Sequence, residues 1–188
     1  EKVIYSQPIS EGGVNWTSHP IRTNCRAVAG GYVINGLKKF ASLAGHCDYY
    51  NIICTQHFEG QEPSSLNTVN FAVHKDSPGL EVTGQWDPMG MRPTSSYDLS
   101  LKDVFVTEED LMMPNGVFIK TMPQFPSVMS LLTPSYMGVA QGAYDFTVKY
   151  LRGEIEGLAP IDRRVYPTKR MSVARMFQKL TEMRATWL

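Results

Sequence analysis

The residues of this 188-residue chain that could do chemistry by type are four histidines, three cysteines and one short glycine turn. His19, His46, His57 and His74 are scattered, and none sits at a spacing that pairs it with a carboxylate or a serine as a base–nucleophile unit. Structural or surface roles are their better reading. Cys25, Cys47 and Cys54 are odd in number, show no CxxC spacing and have no histidine pair at zinc-ligand distance. They read as reduced, non-metal thiols, which places the chain in the cytoplasm. "SEGG" (Ser10 to Gly13) could bring backbone N–H groups near a ligand, or be a plain turn. The dinucleotide and P-loop glycine patterns are both missing. "NWT" (Asn15 to Thr17) fits a glycosylation sequon, but nothing else points to secretion.

A further stretch raises a packing question. In "GGYVINGLKKFASLAGHCDYYNIICT", two apolar runs flank "FASLAG", which narrows to Ala, Ser and Gly where something large could pack. A segment of this kind fits a strand end packed by small residues. It also fits a place where backbone and hydroxyl approach a flat ligand closely, although the packed strand end is the better reading from the residues alone.

These residues must be positioned by elements the sequence announces. Residues 1 to about 113 read as β, with β-branched and aromatic runs "GYVI", "YYNIICT", "NTVNFAVH", "LEVTGQW" and "DLSLKDVFV" punctuated by turn residues. "AGG", Asn35-Gly36 and "KDSPGL" are the turn chemistry, with Asn35-Gly36 as a hairpin signal. The pattern predicts a small antiparallel barrel or sandwich over residues 1–115. After Gly116 the period becomes helical: Val128, Leu131, Leu132, Val139, Ala143, Phe146 and Tyr150, then Val173, Met176, Phe177, Leu180, Met183 and Trp187. Pro134 marks a kink or the true start of the first helix. Residues 116–188 are therefore the first helices of a bundle, an α+β arrangement overall. The chain lacks an initial Met and stops inside a helical pattern, so it is expected to be a piece of a longer protein.

Lys+Arg and Asp+Glu both total 18, and no basic stripe points to nucleic acid. No apolar run approaches the length of a membrane span.

Several separated motifs, in order, resemble the acyl-CoA dehydrogenase family. Ser10-Glu11-Gly12-Gly13 stands where that family has a TEPxxGSD-like segment. Ile21-Arg22-Thr23, "GYVINGLKKFAS", Pro78-Gly79, Met89-Gly90-Met91-Arg92 and "LKDVFVTEEDLM" follow as counterparts of its middle β-domain. "YMGVAQGAYDFTVKYL" is similar to the start of its C-terminal helical bundle. The resemblance implies FAD as cofactor and an acyl-CoA thioester as substrate, oxidised across its α and β carbons with hydride passing to flavin N5. It also implies an electron acceptor such as an electron-transfer flavoprotein, and a homodimer or homotetramer. By the same resemblance Ile9, Ser10, Phe40 and Ser42 contact the flavin ring. Arg163 and Tyr166, in an "R-x-x-F-G"-like loop, reach its pyrophosphate or adenine. Asn15, Trp16 and Thr17 line the ligand channel. The family's catalytic glutamate has no counterpart at Val128 and Met129, and Glu154, Glu156 and Glu182 match neither family position, so no base is assigned. That gap leaves open a flavin-dependent monooxygenase of the same fold, or a non-catalytic binding module.

Overall fold

Among the described residues eight strands form one sheet in the order Leu80–Thr83, Tyr97–Thr107, Gly31–Ala41, Asn24–Val28, Tyr49–Gln56, Thr68–His74, Leu111–Met113, with Tyr5–Ser6 beside Tyr49–Gln56. The structure is a computed structural model that describes residues 2–13, 15, 18–125 and 130–187. The strands are β1 (Tyr5–Ser6), β2 (Asn24–Val28), β3 (Gly31–Ala41), β4 (Tyr49–Gln56), β5 (Thr68–His74), β6 (Leu80–Thr83), β7 (Tyr97–Thr107) and β8 (Leu111–Met113). The sheet is mixed, not antiparallel as expected, because β1 and β2 both pair β4 in parallel. Among the described residues its ends, β6 and β8, do not pair, so no barrel closes. One apolar cluster draws on Cys25, Ile34, Tyr50, Phe71, Leu99 and Val104 from five different strands. Burial of that cluster stabilises the unit at about 25 cal/mol per Å² of apolar surface removed from water.

Asn35-Gly36 is not a turn. β3 runs straight through it, and the β2–β3 hairpin turns at Ala29-Gly30 instead. The physical reason lies across the fold: a Cβ on Gly36 would come within 2.7 Å of Thr23 backbone, so glycine is needed there for close approach. Asn35 in turn caps an irregularity on β7. Its Nδ2 donates to Asp103 Oδ1 at 3.0 Å, and its Oδ1 accepts from the Asp103 N–H at 2.9 Å.

The chain divides into two units, Glu1–Gln124 and Phe125–Leu188. The first extends past the expected change at residue 116 because helix α1 (Val117–Thr121) packs on the sheet, burying Phe118 against Ile21 and Ile53. The second holds α2 (Thr133–Arg152), with Pro134 in its first turn, and α3 (Pro167–Trp187). Proline is tolerated there because a first-turn N–H has no partner within the helix. Much of the apolar stripe read from sequence stays exposed, including Val139, Phe146 and Phe177.

Candidate functional site

The end of β3 carries the site. Between Lys38 and Ala41 the pairing with β7 slips: Lys38 faces Leu99 while Ala41, three residues on, faces Tyr97 only two residues away. The extra residue makes a β-bulge, and Phe40 sits in it with φ of 56°. A left-handed backbone at an aromatic residue costs of order 1 kcal/mol or more, and bulges of this kind re-aim a side chain. Here the bulge sends Lys38 and Ala41 inward and leaves Phe40 62% exposed. Ser42 and Ser10 are exposed as well. The smallness of "FASLAG" therefore has two causes. Ala41 and Ala44 are buried in the apolar core, which has no room for more, while Ser42 lies on the open side.

Three ties hold the segment before β2 against this strand end. Ser6 Oγ donates to the Ser42 carbonyl at 2.5 Å, and the Lys39 N–H donates to the Ser10 carbonyl at 2.7 Å. The third is an ion pair at the edge of the core: Lys38 Nζ donates to Glu11 Oε1 at 2.7 Å, with the two side chains 0% and 4% exposed. Glu11 also accepts the N–H of Thr23 at 2.9 Å and of Arg22 at 2.6 Å. Burial works to raise the Glu11 carboxyl, but the Lys38 charge and these donors prevail and hold it below the ordinary glutamate value. Burial pulls the Lys38 ammonium below the ordinary lysine value, against the opposing pull of Glu11. The three hydrogen bonds that Glu11 accepts favour its charged state at neutral pH. Cys25, Cys47 and Cys54 are free and buried, and burial pushes the Cys54 thiol well above its usual range.

Behind the strand end, Tyr50 supports the turn. Its hydroxyl accepts the Gly45 N–H at 2.8 Å, and burial pushes its phenol up to about 12. On the open side, Trp86 meets the Phe40 ring edge-on with centroids 6.3 Å apart. Lys39 Nζ pairs with Asp98. The site thus presents an exposed aromatic face, two exposed hydroxyls and a rigid backbone edge, which is what a flat heteroaromatic ring with a polar rim requires.

Of the residues predicted from sequence, Ile9, Ser10, Phe40 and Ser42 are brought together by the ties above. The Asn15 carbonyl accepts the N–H of Ser18 at 3.1 Å and of His19 at 3.0 Å. Trp16, Thr17, Val128 and Met129 lie outside the described residues. Arg163 and Tyr166 belong to the second unit. There the Arg163 guanidinium is engaged at the end of α2, donating to the Ile161 carbonyl at 3.0 Å and lying 4.6 Å from the Tyr150 ring centroid. A cleft of about 680 Å³ between α2 and α3 is lined by Arg164 and Asp162, not by Arg163 or Tyr166. Arg164 grips Asp162 through two side-chain hydrogen bonds, at 2.9 and 2.6 Å, and holds that carboxyl down to about 2. Glu154, Glu156 and Glu182 are exposed, and Glu182 pairs with Lys179 at 2.7 Å.

Sequence reasoning missed Glu11–Lys38, Trp86 and the hydroxyls of Thr94 and Ser96, which chain to Ser42 Oγ. A signal existed for two of these. Lys38 is a charge in a strand between apolar Leu37 and the Phe40-Ala41 end, and "PTSS" (Pro93 to Ser96) clusters three hydroxyls.

A mixed β-unit with an exposed aromatic and hydroxyl edge, followed in the chain by a helical pair, is the class this chain defines. The model of the acyl-CoA dehydrogenase middle domain matches residues 10–104, and the chain belongs to the acyl-CoA dehydrogenase family. It is 30% identical to the "Putative acyl-CoA dehydrogenase YdbM" of Bacillus subtilis (strain 168), a match covering 72% of this chain and 35% of that protein. The crystal structure of acyl-CoA dehydrogenase from Geobacillus kaustophilus superposes with a TM-score of 0.81 at 18% identity, over 97% of this chain and 48% of that one. A glutaryl-CoA dehydrogenase from Mycobacterium smegmatis, solved in complex with FADH2, gives 0.76 at 15% identity over 96% and 44%. The chain spans about a third of the length of the curated relatives it matches and about half of the solved structures. Among the described residues no helix is long and apolar enough to cross a membrane.

Proposed function

We propose that this chain supplies the flavin-contacting β-unit of an FAD-dependent acyl-CoA dehydrogenase. The observation that carries the reading is Phe40, an aromatic side chain held exposed by a left-handed bulge. Such a conformation costs stability, and it leaves the ring 62% exposed while Lys38 and Ala41 on either side are buried. The residues fit the group. Phe40, edged by Trp86, offers an apolar face to the isoalloxazine. Ser42 Oγ and the Ile9–Ser10 backbone offer hydrogen-bonding groups to its polar rim, and the three ties fix the spacing between these segments.

In the bound state the flavin supplies hydride acceptance during α,β-dehydrogenation of an acyl thioester. This chain's residues hold and orient the ring and shield one side of it from water. Asn15, with Trp16 and Thr17, belongs to the acyl-CoA approach in this reading, and Arg163 and Tyr166 to the pyrophosphate or adenine of FAD. An electron-transfer flavoprotein as acceptor and a homodimer or homotetramer as assembly complete the proposal.

The test is the visible spectrum of the purified full-length protein, followed by anaerobic addition of a panel of acyl-CoAs. The expected result is a yellow protein bleached by at least one acyl-CoA without added NAD(P)H. A yellow protein that no acyl-CoA bleaches, but that turns over reduced flavin with oxygen, would refute the dehydrogenase reading in favour of a monooxygenase. A colourless protein that takes up neither FAD nor FMN would refute the flavin reading itself.

A further inference from the structure

Helix α1 lies over a small apolar cluster that contains one misfit. The cluster is Ile21, Ile53 and Phe118, with Ile9, Met113, Ile119 and Met122 packed against it. Asn70 belongs to the same place. On β5, Val69, Phe71 and Val73 point into the main core, so alternation turns Asn70 to the opposite face. Its cross-strand neighbours there are Ile53 on β4 and Met113 on β8, both members of the α1 cluster. Asn70 is 0% exposed, and among the described residues neither its amide nitrogen nor its amide oxygen has a hydrogen-bonding partner.

Two opposed effects therefore meet under α1. Burying Phe118, the one buried residue of the helix, favours the seated helix. Removing both polar atoms of Asn70 from water disfavours it, because a buried donor and acceptor left unpaired forfeit their hydration. The helix adds little by itself, since five residues are too few to be stable away from the sheet. Its entry is fastened: the Gly116 N–H donates to the Thr68 carbonyl at 2.9 Å, and Asn115 Nδ2 donates to Gln56 Oε1 at 2.7 Å. Gly116 is left-handed at φ 73°, and a Cβ there would lie 2.8 Å from the Leu66 carbonyl oxygen. The fixed end is thus at Gly116, and the free end carries Ile119 and Met122.

We infer that α1 is a latch: hinged at Gly116, it lifts from the sheet as a unit while the strands stay paired, and Asn70 sets how readily it does so. Lifting lets water reach the Asn70 amide and exposes Phe118. Ile9 packs on the same cluster, so each opening also withdraws apolar support from the segment before β2. The latch needs no ligand and stands apart from the flavin reading.

Native-state hydrogen exchange on the full-length protein tests this. It is read at the Lys120 and Met122 amides, which donate to the Gly116 and Phe118 carbonyls, and at the paired amides of β4 and β5. In wild type, α1 should exchange at least about a hundredfold faster than β4 and β5, and its rate should barely respond to low denaturant, as for the opening of a small unit. In Asn70→Leu the seated state no longer buries an unpaired amide, and α1 exchange should slow about tenfold. Asn70→Val carries the same test if Asn70→Leu does not fold. Amides of α1 that exchange at the rate of β4 and β5 would overturn the latch, because the helix would then open only when the whole unit unfolds. Fast α1 exchange that neither Asn70 variant slows would overturn the role of Asn70, whose amide would then be satisfied where it lies.

Discussion

Lys38→Met is expected to destabilise the protein by about 3–5 kcal/mol, because it leaves the Glu11 carboxylate buried without its counter-charge. The size of the effect comes from the asymmetry of buried pairs. Making the pair yields little net stability, since both ions lose their water, but removing one partner exposes the full cost of the other. With Glu11 at 4% and Lys38 at 0% side-chain exposure, solvent cannot make up the loss. Replacing both residues together, as Glu11→Leu with Lys38→Met, should recover most of that cost. Chemical denaturation of the full-length variants measures this directly.

The pH dependence has a definite sign. The folded Glu11 carboxyl lies below its unfolded value, so its contribution is fully present above the unfolded pKa of about 4.3 and is lost as pH falls through the lower folded value. The gap between wild type and Lys38→Met should therefore close in acid. A gap under about 1 kcal/mol at neutral pH, or one that widens as pH falls, would contradict the pair's role.

The second large effect separates function from stability. Phe40→Gly removes the ring but suits the left-handed backbone at φ 56°. Glycine relieves the strain and adds freedom to the unfolded chain, and these offset to leave stability within about 1 kcal/mol of wild type. FAD affinity should drop at least about tenfold, the worth of one aromatic stacking contact. Fluorescence titration with FAD, alongside a denaturation curve on the same preparation, reads both. A variant that loses stability by several kcal/mol while binding FAD normally would show that Phe40 serves packing and not a ligand.

Much of the β-unit could be read from local pattern. β3, β4, β5 and β7 coincide with runs of β-branched and aromatic residues, and the turn at Lys75–Leu80 lies between β5 and β6 as its Pro-Gly pair indicates. What could not be read depends on partners distant in sequence. Gly36 is extended because Thr23 packs against it, and no dipeptide rule contains Thr23. The bulge at Phe40 exists only relative to Leu99 and Tyr97, some 57 to 59 residues further on, so a single strand's sequence cannot announce it. Glu11 and Lys38 stand 27 residues apart, and Ser42 and Ser96 stand 54 apart. Residue types were visible, but these pairings needed distances. The family resemblance picked out Ile9, Ser10, Phe40 and Ser42 as a group, and the bulge and ties give a physical reason for their proximity.

The central claim is that the face formed by Ile9–Ser10 and Phe40–Ser42 seats a flavin ring. A crystal structure of the full-length protein grown with FAD tests it most directly. The isoalloxazine is expected in van der Waals contact with Phe40, at about 3.5–4.0 Å, with Ser42 Oγ within hydrogen-bond reach of the ring's polar edge. A ring bound elsewhere in the protein, with Phe40 and Ser42 still open to solvent, would contradict it.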